Sequence, residues 1–389
     1  MADKPQEKNG LSRRGWFKGA SLTSLGIAAV GGQRASAAPE EEKKKDTSIP
    51  PLKYDLEAQT HWVGKGGSAK EATVEEFPVS QSIAGVSMRL EPGAIRELHW
   101  HALAAEWAYV LEGRVRTTVI SPNGQSEISD FVKGDTWFFP RGHGHALQGM
   151  GPGEAHFLLG FDSGHFSEFG TFSITDWIAR TPSNVTTRVL NLPAETIAKF
   201  PQKELYIGPG FIPATELEDF RDTSLQPMQS THKYRLDMQP PKVMAGGEER
   251  IVSSKEFPMQ TTMTAVKMNL KPGALREMHW HPHADEWQYY VKGRARMTVF
   301  GSHGRARTEE YMPGNVGFIP QGYGHYIEQI GDEETEILIL FNSGEYQEIS
   351  LANWLGGNPD SMLQVNFGIS KDMIDLLPKR ERGIIGPRA

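Results

Sequence analysis

Apolar and polar positions alternate with a period of two over short stretches of this 389-residue chain. Val86-Ser87-Met88-Arg89-Leu90 and Val115-Arg116-Thr117-Thr118-Val119-Ile120 each read as a strand with one face turned to a core. So do Val266-Lys267-Met268-Asn269-Leu270 and Ala295-Arg296-Met297-Thr298-Val299. Pro92-Gly93, Pro122-Asn123-Gly124, Lys133-Gly134 and Pro140-Arg141-Gly142 interrupt the pattern and mark turns. Strands this short, divided this often, predict an all-β architecture of barrel or jelly-roll type. A helical pattern surfaces mainly near Asp176-Trp177-Ile178, Ala194–Lys199, Asn353-Trp354-Leu355 and Lys371–Leu377. These predict short helices outside the barrels.

The pattern occurs twice. Gly66 to Gly164 matches Gly246 to Gly344 at a constant offset of 180, with no gap. Phe77-Pro78 falls on Phe257-Pro258, Arg96-Glu97 on Arg276-Glu277, Glu106-Trp107 on Glu286-Trp287, and Gly113-Arg114 on Gly293-Arg294. A repeat of this size predicts a duplicated domain, because solenoid periods are shorter. The division expected is residues 54–232 for a first domain and 233–389 for a second.

Composition narrows the class. The length is enough for two domains with full cores, and 41 Gly with 25 Pro suit many turns. A formal charge of −7 argues against a nucleic-acid partner. Cysteine is absent, which removes disulfides and thiol chemistry but leaves the compartment open. The first residues bear on the compartment. Ser12-Arg13-Arg14-Gly15-Trp16-Phe17-Lys18 has the twin-arginine pattern, followed by a mildly apolar run Ala20–Gly32 and the small-x-small signal Ala35-Ser36-Ala37. The run is too short to span a bilayer, so no stable membrane contact is expected. Residues 1–37 are read as a signal for the twin-arginine export machinery, cut after Ala37, with a periplasmic or secreted product. That segment carries six Lys/Arg and two Asp/Glu, which leaves −11 on the remainder. Residues 38–53, rich in Glu and Lys, are read as a solvated linker.

The candidate chemistry is repeated with the frame. His99-Trp100-His101 with Glu106 recurs as His279-Trp280-His281 with Glu286. A third histidine follows 44 residues after the second in both copies, His145 and His325. Two residues apart on a strand, His99 and His101 face one side. Glu106 has the opposite parity and joins them only if the chain breaks at Ala102–Ala105. Three imidazoles and one carboxylate suit a divalent transition metal (Mn, Fe, Co or Zn), and four ligands on a six-coordinate ion leave two positions for substrate or dioxygen. Any one histidine would read as a hydrogen-bonded structural residue; two identical sets of four do not. The repeat also removes decoys. His143 becomes Tyr323, His283 aligns with Leu103, and His61, His156, His165, His232 and His303 have no histidine counterpart. These are read as structural or surface residues.

The two motifs, Gly93-x5-His99-x-His101-x4-Glu106-x6-Gly113 and Gly134-x5-Pro140-x-Gly142-x2-His145, resemble those of the cupins, and the second half repeats both. Gly149 and Gln329 stand where the second motif usually ends in asparagine. Two such domains, each with Arg-Glu-x-His-Trp-His, resemble the bicupin oxalate decarboxylases over roughly residues 50–380. The resemblance implies two tandem cupin (double-stranded β-helix) barrels, two Mn ions per chain, dioxygen as co-catalyst, oxalate as substrate, and a homo-oligomer, trimer or hexamer. It also implies that Arg96 binds substrate; from the sequence alone, Arg96 or Arg276 could equally form a surface ion pair.

The halves diverge after Gly164. Gly164 to Trp177 is 13 residues and Gly344 to Trp354 is 10, with the extra length around Ser167-Glu168-Phe169-Gly170-Thr171. A longer loop carrying one carboxylate beside a metal pocket suggests a lid with an acid/base. A solvated loop glutamate is the plainer alternative. The resemblance assigns Glu168 to the lid glutamate that separates decarboxylase from oxidase activity, although Phe169 and Gly170 depart from the polar residues found there. In the second half Ile339 stands where family members carry a glutamate, and Glu348 falls near the lid. Trp100 and Trp137 flank ligands and are read as core aromatics before charge carriers. The chemistry is therefore expected in the first domain, with a mainly structural metal in the second. Oxalate oxidase and a non-catalytic two-cupin binding protein are the alternatives.

Overall fold

The structure is a computed structural model describing residues 49–59, 62–166, 171–213 and 226–387. The proposed signal, most of the linker, His61 and Glu168 lie outside the described residues.

Each half folds into two facing antiparallel sheets. In the first, one sheet runs Thr136–Phe139, Glu106–Glu112, Ala155–Phe161, Ala84–Leu90 and Gly67–Ala72. The facing sheet runs Ile95–His101, Gly144–Gly149, Arg114–Ile120 and Gln125–Val132. The second half repeats this order, and the offset of 180 carries over from sequence to space. Ala84–Leu90 corresponds to Thr264–Leu270, Glu106–Glu112 to Glu286–Lys292, and Ala155–Phe161 to Thr335–Phe341. Each barrel has its own core, around Val86, Phe157 and Phe131 in the first and Met268, Ile337 and Met297 in the second.

A third apolar cluster joins the barrels. On the strand Glu106–Glu112 the alternation sends Glu106, Ala108 and Val110 inward, and Trp107 and Tyr109 outward against the other barrel. Both faces of this sheet are therefore buried, which explains the near-continuous apolar runs on its strands. Gly85 has a close-approach role here: a Cβ at that position would lie 2.2 Å from the Trp287 ring. The barrels also exchange edges. Lys53–Asp55 pairs with Asn315–Ile319 of the second, and Lys233–Tyr234 with Thr136–Phe139 of the first.

Six short helices lie outside the barrels among the described residues, at Ile174–Arg180, Ser183–Leu190, Ala194–Ile197, Leu351–Gly356, Asp360–Phe367 and Lys371–Asp375. Ser173 and Ser350 cap the first of each set by accepting from Asp176 N (3.3 Å) and Asn353 N (3.1 Å). The four helices expected from the sequence are present. Ser183–Leu190 and Asp360–Phe367 carried no clear helical pattern: the first is rich in Val and Thr, which disfavour helix. Each follows a proline, Pro182 and Pro359, which suits the start of a helix.

The joint between barrels carries two polar clusters related by the same offset. In one, Lys267 Nζ donates to the Tyr109 hydroxyl (2.8 Å) and to Asp237 (2.8 Å), with Glu336 at 3.4 Å. In the other, Tyr289 donates to Glu57 (3.2 Å), and Ser87 and His156 replace the lysine and glutamate, 2.9 Å apart. Burial, then the Arg89 guanidinium, push His156 down to about 4 against the pull of Glu57. A histidine whose folded value lies below its unfolded one is protonated first in the unfolded chain, so folding stability is lost as pH falls from about 6.5 toward 4. His156→Gln is expected to lose less. Between pH 7 and 4 the urea-unfolding free energy should fall further in the wild type than in the variant, by up to roughly 3 kcal/mol. Parallel pH profiles would remove His156 from the acid response.

Candidate metal centres

The strand Ile95–His101 lies antiparallel to Gly144–Gly149 with His99 opposite His145. His99 and His101 share the inner face, as their spacing predicts. Glu106 comes from elsewhere: the strand ends at His101, the chain turns at 102–105, and Glu106 opens a strand of the facing sheet. The parity obstacle is thus resolved by a change of sheet. Arg96 solves its own parity differently. The register shifts between His99 and Arg96, a β-bulge that returns Arg96 to the inner face, where it is 3% exposed. The second half repeats the bulge between Arg276 and His279.

In each half four donor atoms lie within 4.8 Å of one another: those of His99, His101, Glu106 and His145, and those of His279, His281, Glu286 and His325. All eight side chains are buried. The outer ring nitrogens are engaged. His99 Nδ1 donates to Glu97 O (2.6 Å) and His145 Nδ1 to His143 O (2.8 Å), while His101 Nδ1 bonds the Thr171 hydroxyl (2.8 Å). His279, His281 and His325 use Nδ1 on the carbonyls of Glu277, Gln347 and Tyr323 at 2.7, 2.8 and 3.0 Å. These bonds turn each Nε2 toward the shared centre. Glu106 Oε1 accepts from Trp137 Nε1 (2.8 Å) and Glu286 Oε1 from Gln288 Nε2 (2.7 Å), which aims the other oxygen inward.

The electrostatics suit a cation. Burial pushes the Glu106 carboxyl up, but the imidazoles of His145 and His101 outweigh it and hold it far below the usual carboxylate range; Glu286 behaves alike. Burial drives His99 and His279 well down, with the neighbouring arginine adding to it, and His101 down to about 4. An ionised carboxylate beside rings that burial keeps from protonating, here His99, His101 and His279, suits a metal ligand set. In the second centre His281 Nε2, His325 Nε2 and Glu286 Oε2 are buried without a hydrogen-bond partner, although the carboxylate oxygen lies 3.0 Å from each ring nitrogen. Such unsatisfied, convergent atoms fit a divalent ion.

Beyond the ligands the two sites differ. The first opens on a cavity of about 200 Å³ that Arg96, Glu71, Glu204 and Tyr206 line together with His99, His101 and Glu106. The second retains about 10 Å³, room for about one water. There Arg276 bonds Glu348 and lies 3.4 Å from the Tyr346 hydroxyl, which itself donates to Glu348. In the first, Arg96 Nη1 donates to Tyr206 O (3.2 Å), its guanidinium lies over the Tyr206 ring (4.2 Å), and Glu204 stands 3.8 Å away. Glu71 accepts from the Tyr206 hydroxyl (3.2 Å), and burial raises its carboxyl even so.

Several groups had no signal in the sequence. Glu71, Glu204 and Tyr206 lie far from the motifs and have no partner at the repeat offset. Glu97, visible only as a repeated neighbour of Arg96, accepts from the Leu205 and Tyr206 amides (3.1 and 3.0 Å) and from Thr175. Trp137 is fully buried and also orients Glu106. Trp100 stacks on Phe172. The set-aside histidines fall as expected: His156 and His232 are buried and hydrogen-bonded, and His165 and His303 are exposed.

Comparisons with known proteins agree with this geometry. A family model described as Cupin matches residues 56–198 and 234–375. The chain is 42% identical to the oxalate decarboxylase OxdC of Bacillus subtilis over 334 residues, 86% of each chain. It is 32% identical to an oxalate decarboxylase of Arthroderma benhamiae over 364 residues, 87% of this chain and 84% of that one. A Bacillus subtilis oxalate decarboxylase structure at pH 4.6 superposes with a TM-score of 0.83 at 40% identity, covering 89% of this chain and 90% of the other. Another structure of that enzyme, with TM-score 0.83 and 40% identity over 88% and 90%, is described for its Mn(II) centres.

Two centres with separate donor sets should fill independently. Metal analysis after dialysis is expected to give two equivalents per chain, falling to one in His101→Ala. At a free metal concentration a hundredfold above Kd each filled site adds about 2.7 kcal/mol, so chelation should lower the melting temperature of the wild type by more than that of His101→Ala.

Proposed function

The chain belongs to the bicupin oxalate decarboxylase family, and from that premise we propose that its first barrel converts oxalate to formate and carbon dioxide, using manganese and dioxygen. The observation that carries the choice of barrel is the contrast between the cavities. The first holds about 200 Å³ beside an arginine whose ion-pair partner among the described residues, Glu204, stands 3.8 Å away, and the second about 10 Å³ beside an arginine bound directly to Glu348. A dicarboxylate needs both room and an unspent cation.

In this reading the ligands are His99, His101, Glu106 and His145 in the first barrel and His279, His281, Glu286 and His325 in the second. The Mn(II) centres of the Bacillus relative support manganese at both. Oxalate enters as its monoanion. Arg96 pairs with the carboxylate, and the Tyr206 carbonyl and ring keep the guanidinium in place. Manganese with dioxygen supplies the one-electron chemistry that loosens the carbon–carbon bond. Glu168 takes the proton from the carboxyl group, carbon dioxide leaves, and Glu168 returns the proton to the remaining carbon as formate. The sum is HOOC–COO⁻ → HCOO⁻ + CO₂, with no net oxidation. Val86, Leu159, Phe161 and Phe166 line the cavity with apolar surface, which excludes the water that would otherwise quench the reacting carbon. Support for Glu168 comes from the ends of its loop: Phe166 and Thr171, on either side of 167–170, both line the cavity, and Thr171 bonds the ligand His101.

We further propose that the chain is exported by the twin-arginine route on the pattern at Ser12–Lys18, with domains at 54–232 and 233–389. A homo-oligomer, trimer or hexamer, is supported by exposed aromatic residues at equivalent places outside the barrels, Trp177 (64% exposed) and Trp354 (58%). Cell fractionation and sedimentation test these two points.

The deciding experiment feeds oxalate to the manganese-loaded enzyme under air and measures formate and hydrogen peroxide. Formate equal to the oxalate consumed is expected. Peroxide in that ratio would make the enzyme an oxidase, and neither product would leave a binding protein. Removing a general acid/base costs typically about 10²–10⁴-fold, so Glu168→Ala should lower formate production by at least about a hundredfold, while Glu348→Ala retains it. The reverse pattern would move the chemistry to the second barrel.

A further inference from the structure

Arg96 and Arg276 sit at equivalent positions, and the chain returns past each along an equivalent path. Glu97 N donates to Tyr206 O (3.1 Å) and Glu277 N to Gly383 O (2.9 Å). The arginines donate to the same two carbonyls, at 3.2 and 3.5 Å. The next residues, Ile207 and Ile384, pair with Arg96 and Arg276. Tyr206 and Gly383 are therefore structural counterparts, although the offset of 180 does not relate them.

Both take a left-handed backbone, φ +57 at Tyr206 and +62 at Gly383. Glycine accepts that conformation freely; a tyrosine is strained in it. The first barrel tolerates the strain because Glu97 ties both the Leu205 and Tyr206 amides. Strain kept in place by its surroundings marks a position where the side chain has a task. Here the ring lies against the Arg96 guanidinium at 4.2 Å and the hydroxyl donates to Glu71 at 3.2 Å. Arg96 and Glu71 line one cavity and act on each other electrostatically, yet Tyr206 touches both. In the second barrel no side chain stands at 383, and Arg276 is bound by the acid Glu348 of its own chain. The cavity there is about 10 Å³.

We propose that Tyr206 is a positioning residue that keeps Arg96 and Glu71 apart, so that Arg96, which Glu204 approaches only to 3.8 Å, stays available to an incoming carboxylate instead of pairing with Glu71. This rests on the first cavity being the substrate site. The hydroxyl occupies Glu71 and the ring occupies one face of the guanidinium, while Nη1 is held by the Tyr206 carbonyl, leaving the other guanidinium N–H groups for the ligand. Tyr206 and Glu71 together define a site for a small carboxylate whose affinity depends on the pair.

The test uses the full-length manganese-loaded protein, with calorimetric titration of oxalate under anaerobic conditions and of acetate in parallel. Tyr206→Gly recreates the residue of the second barrel and relieves the backbone, so its melting temperature should not fall through strain. Its oxalate affinity should fall about tenfold or more, and KM under air should rise more than kcat falls. Adding Glu71→Gln, which removes the competing charge, should restore affinity in Tyr206→Gly/Glu71→Gln. Tyr206→Phe, which frees Glu71 but keeps the ring, should show a smaller loss that Glu71→Gln also repairs. Unchanged affinity in Tyr206→Gly, or a loss that Glu71→Gln leaves unrepaired, would overturn the proposal. Wild-type protein that binds acetate but not oxalate would instead defeat the reading of the substrate, and the same variants compared on acetate would still decide the role of Tyr206.

Discussion

An ionised carboxylate among three imidazoles, inside an apolar barrel, is the arrangement on which the rest of this molecule depends. Burying such a group costs several kcal/mol unless it is paired. Here the pairing is assembled from both sheets of the barrel, with Glu106 and Glu286 arriving from one and the histidines from the other. The two sheets must close at one registration for the four atoms to meet. Carbonyls and a hydroxyl that hold each outer ring nitrogen keep that registration from relaxing. The barrel is a frame for a cation before it is a catalyst.

The frame was duplicated, and the copies differ around their ligands without altering the ligands themselves. The bulge that turns Arg96 inward is also present before Arg276, so both sites inherit a buried guanidinium. What separates them is which acid of the chain reaches it. Glu348 and Tyr346 close the second site, while Tyr206 and Glu71 leave the first open. A metal cage shared by two sites therefore says little about which one works; the fate of the neighbouring charge says more.

The barrels are not independent beads. Each completes a sheet of the other, and Trp107 and Trp287 are buried in the cluster between them. The strands that carry Glu106 and Glu286 on their inner faces present those tryptophans on their outer faces. Packing between barrels thus sets the position of a ligand in each. The polar clusters at this joint kept their geometry through duplication but not their chemistry, with Ser87 and His156 standing opposite Lys267 and Glu336.

The amino-acid sequence by itself determined the strands, the duplication and the two sets of four donors. Alternation is local, and donor chemistry repeated at a fixed offset needs no coordinates. It also indicated where Glu106 would need a break in the chain. Only the tertiary structure decided how that break is made, because a change of sheet depends on partners far along the chain. It alone turned Arg96 inward, since a bulge is a mismatch in register between two paired strands and cannot be read from one of them. Glu71, Glu204 and Tyr206 reach the first site from distant segments, with nothing in their local sequence to mark them, and Trp137, visible only as an aromatic inside the second motif, gave no sign that it would hold Glu106. The helices at Ser183–Leu190 and Asp360–Phe367 form after prolines where intrinsic preference alone was too weak. The closing of the second cavity was equally out of reach, for it rests on Arg276 meeting Glu348 across 72 residues of intervening fold.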